Sequence, residues 1–234
     1  MYSLLITLLL LLGTALSGPV SASPITFAFT GNVNSVSAPL SGTFNTSQTL
    51  SGFYTFESTT PDTVPLDATL GFYTGALTAL SFTVGSYTGT GPTLSGSAIA
   101  VENDRVMVFQ PIPRDSYTAG AEFVGQDIAG LSPLFVIVVG LVDPTGTALN
   151  SDSLPTTPPN LSAFTQGSGF VLIFGIPAFP ENEEQVVGTL TSLTLVTEPP
   201  GGTPIPEPST WLLLSSGLAG IALWRQRHRQ SHSA

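Results

Sequence analysis

The sequence predicts an all-β fold: an antiparallel β-sandwich, jelly-roll-like, lying between two apolar ends. Three observations predict it. Hydrophobic residues make up 42% of the 234 but charged residues only 9%, far below the usual quarter, and much of the rest is Thr, Ser, Gly and Pro. Between the two ends no segment sustains a helical period; apolar residues alternate at period two instead. Proline and glycine clusters interrupt these runs at 61–65, 89–92, 111–113, 154–159 and 199–204, as turns and linkers would.

The strands follow in order. Ile25, Phe27 and Phe29 alternate with Thr26, Ala28 and Thr30, which puts rings on one face and small polar groups on the other. Gly52–Phe56 is short and aromatic. Leu80–Tyr87 sets Leu80, Phe82 and Val84 on one side. Ala98–Val101 and Val106–Phe109 flank Asn103-Asp104, which reads as the tight turn of a hairpin. Leu134–Val142 is an almost unbroken run of branched apolar residues, the pattern of a strand buried on both faces, and Gly169–Phe174 is similar. Val187–Val196 alternates imperfectly. About ten short strands with turns between them make two packed antiparallel sheets. Gly52-Phe53-Tyr54-Thr55 recurs as Gly71-Phe72-Tyr73-Thr74, but nothing around the pair repeats, so the likeness is one of strand composition.

The ends have a different character. Leu4–Leu12, interrupted only by Thr7, has the length of a signal-peptide core. Gly13, Gly18 and Pro19 follow, then Val20 and Ala22, small residues placed as at a signal-peptidase site with the cut after Ala22. The leading residues depart from that pattern in having no Lys or Arg. At the other end Pro204-Ile205-Pro206-Glu207-Pro208-Ser209-Thr210 leads into the uncharged segment Trp211–Trp224 and then Arg225-Gln226-Arg227-His228-Arg229. The prolines lack backbone donors and favour an extended chain that a processing enzyme can grip. A helix over 211–224 spans about 21 Å, short against about 30 Å of hydrocarbon, so snorkelling arginines and local thinning have to help. Arg225, Arg227 and Arg229 act as a membrane stop on the cytoplasmic side.

This order of Pro206-Glu207-Pro208, short apolar helix and terminal arginines resembles the PEP-CTERM sorting signal. The resemblance covers about 30 residues. It implies an exported precursor, inserted transiently in the inner membrane through 211–224. It also implies processing by exosortase, a membrane transpeptidase-like enzyme, and delivery to the cell surface or extracellular matrix. Pro206, Glu207 and Pro208 are then recognition residues on a substrate, with no catalytic part. The expected layout is a signal peptide at 1–22, a β-sandwich ectodomain at 23–198, a Pro/Gly linker at 199–205 and the sorting signal at 206–229. By the same resemblance, hosts of this signal make extracellular polysaccharide, a candidate partner.

Composition excludes much chemistry. All cations are arginine, and only Arg105 and Arg114 lie in the body, against fourteen of the fifteen acids. No basic patch for nucleic acid can be assembled. Cysteine is absent, and both histidines, His228 and His232, lie beyond the apolar tail. A body without His, Cys or Lys builds no Ser-His-Asp triad, Cys-His pair, Ser-Lys dyad or imidazole metal site. The expectation is a non-enzymatic body with no catalytic residues and no metal ligands. Two-carboxylate glycoside hydrolysis survives that test; Glu57, Asp62, Asp67, Glu102, Asp104, Asp115, Glu122 and Asp127 are available, mostly beside turns. Calcium is the one cofactor left open, through Glu102-Asn103-Asp104 or Glu181-Asn182-Glu183-Glu184, neither of which matches an EF-hand loop. Phe53, Tyr54, Phe72, Tyr73, Tyr87 and Tyr117 offer a stacking platform for sugar rings, the alternative being a place in the core.

Overall fold

Among the described residues eleven strands succeed one another: β1 (Pro24–Val36), β2 (Thr49–Glu57), β3 (Leu70–Thr74), β4 (Leu77–Val84), β5 (Tyr87–Gly91), β6 (Ser97–Met107), β7 (Gln110–Glu122), β8 (Val124–Gly125), β9 (Ser132–Asp143), β10 (Gly167–Ile176) and β11 (Phe179–Leu195). A computed structural model of the chain describes residues 24–92, 96–107, 110–176 and 179–197. These fall in one unit, Ala22–Thr197. The expected signal peptide, linker and sorting signal lie outside the described residues.

All strands join one antiparallel sheet in the order β3-β6-β7-β9-β10-β11-β1-β2-β4-β5-β8. The all-β antiparallel class is as expected, but the two packed layers come from a single sheet that curls over itself. Two bent strands turn the corners. β8 follows β7 with only Phe123 between, yet β7 pairs with β9 while β8 pairs with β5, so the far ends of the sheet meet. β3 and β4 are likewise separated by Gly75-Ala76; the first pairs with β6, the second with β2 and β5. Gly75 has a φ of 71°, a left-handed conformation that glycine takes at little cost. Such sheet-switching strands are how curved β-layers make corners. β1 lies between β2 and β11, and the Val196 N–H donates to the Thr26 carbonyl at 2.9 Å. The chain therefore begins and ends this unit on neighbouring strands.

The core lies inside the curl. Phe27, Tyr54, Phe56, Phe82, Tyr117, Phe170 and Phe174 are essentially inaccessible to solvent. A short 3-10 turn at Ala38–Leu40 brings Leu40 and Phe44 in from the β1–β2 connection. Phe44, Tyr87, Phe123 and Phe174 pack mostly edge to face with ring centroids 5.2–5.8 Å apart, the arrangement aromatic quadrupoles favour. Phe170 lies over two glycines: a Cβ built on Gly31 would fall 2.9 Å from its ring, and one on Gly188 would collide with it.

Several local expectations are corrected. Asn103-Asp104 is no hairpin turn; β6 runs through it to Met107, with a register shift between Glu102 and Arg105 and a φ of 52° at Asp104. The extra residue is absorbed as a bulge. The proline cluster at 111–113 lies inside β7, before its pairing with β9 begins at Asp115, so no ladder bond to β9 is lost there. The Glu181–Glu184 run belongs to β11. Leu134–Val142 is buried on one face only: Val136, Val138, Val139 and Leu141 are buried, whereas Phe135, Ile137 and Val142 keep partial exposure on the outer side. Among the described residues no second sheet covers that side. The strands are also longer than expected, up to 17 residues in β11.

Candidate functional site

The residues of the sorting reading, Pro206, Glu207, Pro208, Arg225, Arg227 and Arg229, lie outside the described residues, as do Ala22 and Trp211–Trp224. Among the described residues no helix is long and apolar enough to cross a membrane. None of the described His, Cys, Asp and Glu residues form a group of three or more that could hold a metal ion.

Many of the candidate carboxylates have structural partners. Asp62 accepts the N–H groups of Val64 and Phe72, both at 2.9 Å. Asp67 accepts the Thr69 hydroxyl at 2.7 Å and its N–H at 3.1 Å. These bonds, with Arg105 at 3.2 Å, hold its carboxyl below the usual range. Glu102 sits between the two arginines of the body, 3.4 Å from Arg105 Nε and 3.0 Å from Arg114, and also accepts the Ser116 hydroxyl at 2.7 Å. Two guanidinium groups thus share this one carboxylate.

Asp115 and Asp143 face each other across β7 and β9 and are fully buried. The two oxygens of Asp115 accept the N–H groups of Asp104 at 2.8 Å and Leu149 at 2.7 Å. Asp143 accepts the N–H groups of Thr147 at 2.9 Å and Thr145 at 3.1 Å, together with their hydroxyls. The Thr147 N–H above all, aided by the Thr145 hydroxyl and N–H, pulls its pKa down to about 2 against the opposing effect of burial. Asp115 thus staples the loop after β9 to the β6 bulge, and Asp143 fastens the start of that loop.

Of the aromatics named as a stacking platform, Tyr54, Tyr73, Tyr87 and Tyr117 are buried, so as a whole that platform does not form. Phe72 borders an open groove of about 670 Å³ with Phe135, Pro92, Thr74 and Ser97 on its walls. Phe53 points outward from β2 into a different setting.

Around Phe53 the outer face of β11, β1, β2, β4 and β5 is a field of hydroxyls. The register sets Thr26, Thr55 and Ala79 side by side. The next row is Thr194, Ala28, Phe53, Ser81 and Thr90; the one after is Ser192, Thr30, Ser51, Thr83 and Thr88. Neighbouring hydroxyls bond to one another: Thr26 to Thr55 at 2.8 Å, Thr30 to Ser192 at 2.6 Å and to Thr191 at 2.8 Å, Ser51 to Thr83 at 3.0 Å. Asn34 donates to the Thr189 hydroxyl at 2.6 Å. Within these rows no position carries a charge. Alternation in β1 had already put Thr26, Ala28 and Thr30 on one face. That four other strands continue the same pattern beside it was not legible without the strand order.

Set against known proteins, this is a β-domain protein with an export signal at its tail. The model of the PEP-CTERM protein-sorting motif matches residues 204–227. The chain thus carries that motif and is an exosortase-targeted, exported protein. The match takes in Pro206, Glu207, Pro208, Trp211–Trp224, Arg225 and Arg227, with Arg229 two residues beyond it. No curated protein and no solved structure matches the chain.

Proposed function

We infer that the protein is a non-enzymatic surface or matrix protein, held transiently in the inner membrane by Trp211–Trp224 until exosortase removes its tail. The motif at 204–227 carries this reading. Signal peptidase cuts after Ala22, Pro206-Glu207-Pro208 presents the tail to exosortase, and Arg225, Arg227 and Arg229 keep the end cytoplasmic. Every strand among the described residues lies between Pro24 and Leu195, so both cuts leave that sheet whole. Carboxylates engaged in turns, ion pairs and staples support a body that does no acid–base chemistry.

Mass spectrometry of the terminal peptides on mature protein from its native host tests this. Loss of residues 1–22 and of everything after the Pro-Glu-Pro region is the expected result. An intact Trp211–Arg229 tail on membrane-bound protein means a retained anchor instead.

A second reading, a glycan-binding module delivered by the same signal, is favoured by Phe53 standing outward among hydroxyls. Most of the aromatics first considered for that role are core residues; Phe53 is not.

A further inference from the structure

The geometry points to the outer face of β11-β1-β2-β4-β5, centred on Phe53, as the binding surface for a neutral polysaccharide. It rests on the second reading above and names the face and the class of polymer.

Four observations carry it. First, the three rows carry no charge and Glu57 stands at their edge on β2, within a chain of net charge −10, so no cation is present to hold an acidic polymer and the surrounding negative field repels one. Second, the hydroxyls of Thr30, Ser192, Ser51 and Thr83 bond across strands, which holds their rotamers before any ligand arrives. The two bonds among Thr30, Thr191 and Ser192 use two of their three donors, leaving one O–H and free lone pairs for a partner, and the Ser51 and Thr83 oxygens keep free lone pairs. Third, the spacing is repetitive: about 4.8 Å between strands and about 7 Å between same-face residues along one strand. A polymer of repeating polyhydroxyl units meets such an array many times over, and weak contacts add through multivalency. Fourth, Phe53 stands in the middle row between Ala28 and Ser81. The small neighbours leave part of its ring exposed for the C–H face of a sugar, while hydroxyls on both sides take the sugar's edge. An apolar partner would strand these hydroxyls without hydrogen bonds, at a cost.

The test is native affinity electrophoresis of the full chain in a sugar-free non-ionic detergent, through gels containing hydroxyethylcellulose, dextran or alginate. At least one of the two neutral polymers should retard the protein, and alginate should not. Thr30→Val with Thr83→Val keeps the branched shape, removes two hydroxyls, and should weaken retardation on the order of tenfold. Phe53→Ala should do the same. Thr118→Val, on the outer side of β7, should change nothing. Melting curves matching the parent show that the Thr→Val pair is folded, so the test stands even where Phe53→Ala does not fold. Failure of both neutral polymers to retard the protein, equal retardation by alginate, or unchanged retardation of the Thr→Val pair overturns the proposal. Concentration-dependent retardation in polymer-free gels would assign the face to a second copy of the chain, which overturns it too. Terminal processing is read separately by mass spectrometry, so trimmed ends with no retardation reject this face and leave the sorting reading standing.

Discussion

The phenol oxygens of Tyr54 on β2 and Tyr117 on β7 lie 2.9 Å apart in the centre of the core. Sixty-three residues separate them, and their strands belong to opposite layers of the curled sheet. Each ring is fully buried, and each hydroxyl has the other as its partner. The pair therefore ties the layers together at one point, and it does so only if both hydroxyls are present.

Replacing one of them strands the other. Tyr54→Phe or Tyr117→Phe alone should cost about 1–3 kcal/mol, the desolvation of a lone buried hydroxyl. The double variant, with no polar atom left unpaired, should lie within about 1 kcal/mol of the parent. Urea unfolding of the four proteins measures the coupling; additive losses would mean that the hydroxyls do not depend on each other.

The same burial governs alkaline behaviour. Desolvation raises both phenols well above their ordinary value, and for Tyr54 the neighbouring Tyr117 adds to it. Tyr87, mainly by burial and then by Asp127, is pushed up to about 12. In the unfolded chain all three ionise near 10. A raised folded-state pKa means stability present below pH 10 and lost as the pH rises above it. Phenolate absorbance from these tyrosines at pH 10–11 should therefore appear in step with unfolding, and absorbance from them that precedes loss of the β-sheet signal would mean that they titrate within the folded sheet.

At the acid end Asp143 acts in the opposite sense. Its folded-state pKa of about 2 lies below the ordinary carboxylate value near 3.9. Its contribution is therefore complete above pH 4 and is lost as the pH falls towards 2. Asp143→Asn, which cannot accept all of these bonds, should lower the melting temperature at pH 7. The gap to the parent should close as the pH approaches 2, read by melting curves across pH 2–7.

Gly188 tests the packing of the curl. A methyl group there meets the Asn32 carbonyl and the Phe170 ring, and neither can retreat without moving β1 or β10. Gly188→Ala should cost about 1–3 kcal/mol as overpacking. Gly42, whose added Cβ would meet nothing within 4 Å, serves as the control: Gly42→Ala should leave the urea midpoint nearly unchanged.

Glu102 distinguishes an ion-pair site from a cation site. Glu102→Gln removes the carboxylate that two partly buried guanidinium groups share, with Arg105 keeping Asp67, and should cost about 1 kcal/mol, between an exposed and a fully buried pair. Added calcium and its chelator should leave the melting temperature of the parent unchanged. A calcium-dependent rise would restore the metal reading for Glu102-Asn103-Asp104.

How much of this was legible beforehand depends on the range of the physics. Period-two alternation is a local property, so the sequence alone determined that Phe27 and Phe29 turn inward while Thr26 and Thr30 turn outward. The absence of His, Cys and Lys from the body, and the order of prolines, apolar segment and arginines in the tail, are likewise properties of the string itself. Turn acids are ambiguous by nature: Asp62 and Asp143 look alike in sequence, and only the fold decides which one is buried under backbone N–H groups. Asn103-Asp104 misled for the same reason, because a bulge and a turn use the same residues. Which strands become neighbours was decided by tertiary structure alone. Thr30 meets Ser192, and Tyr54 meets Tyr117, because the sheet has to curl to bury both sets of rings. That condition is satisfied by residues 63 and 162 positions apart, and nothing in either strand by itself records its partner.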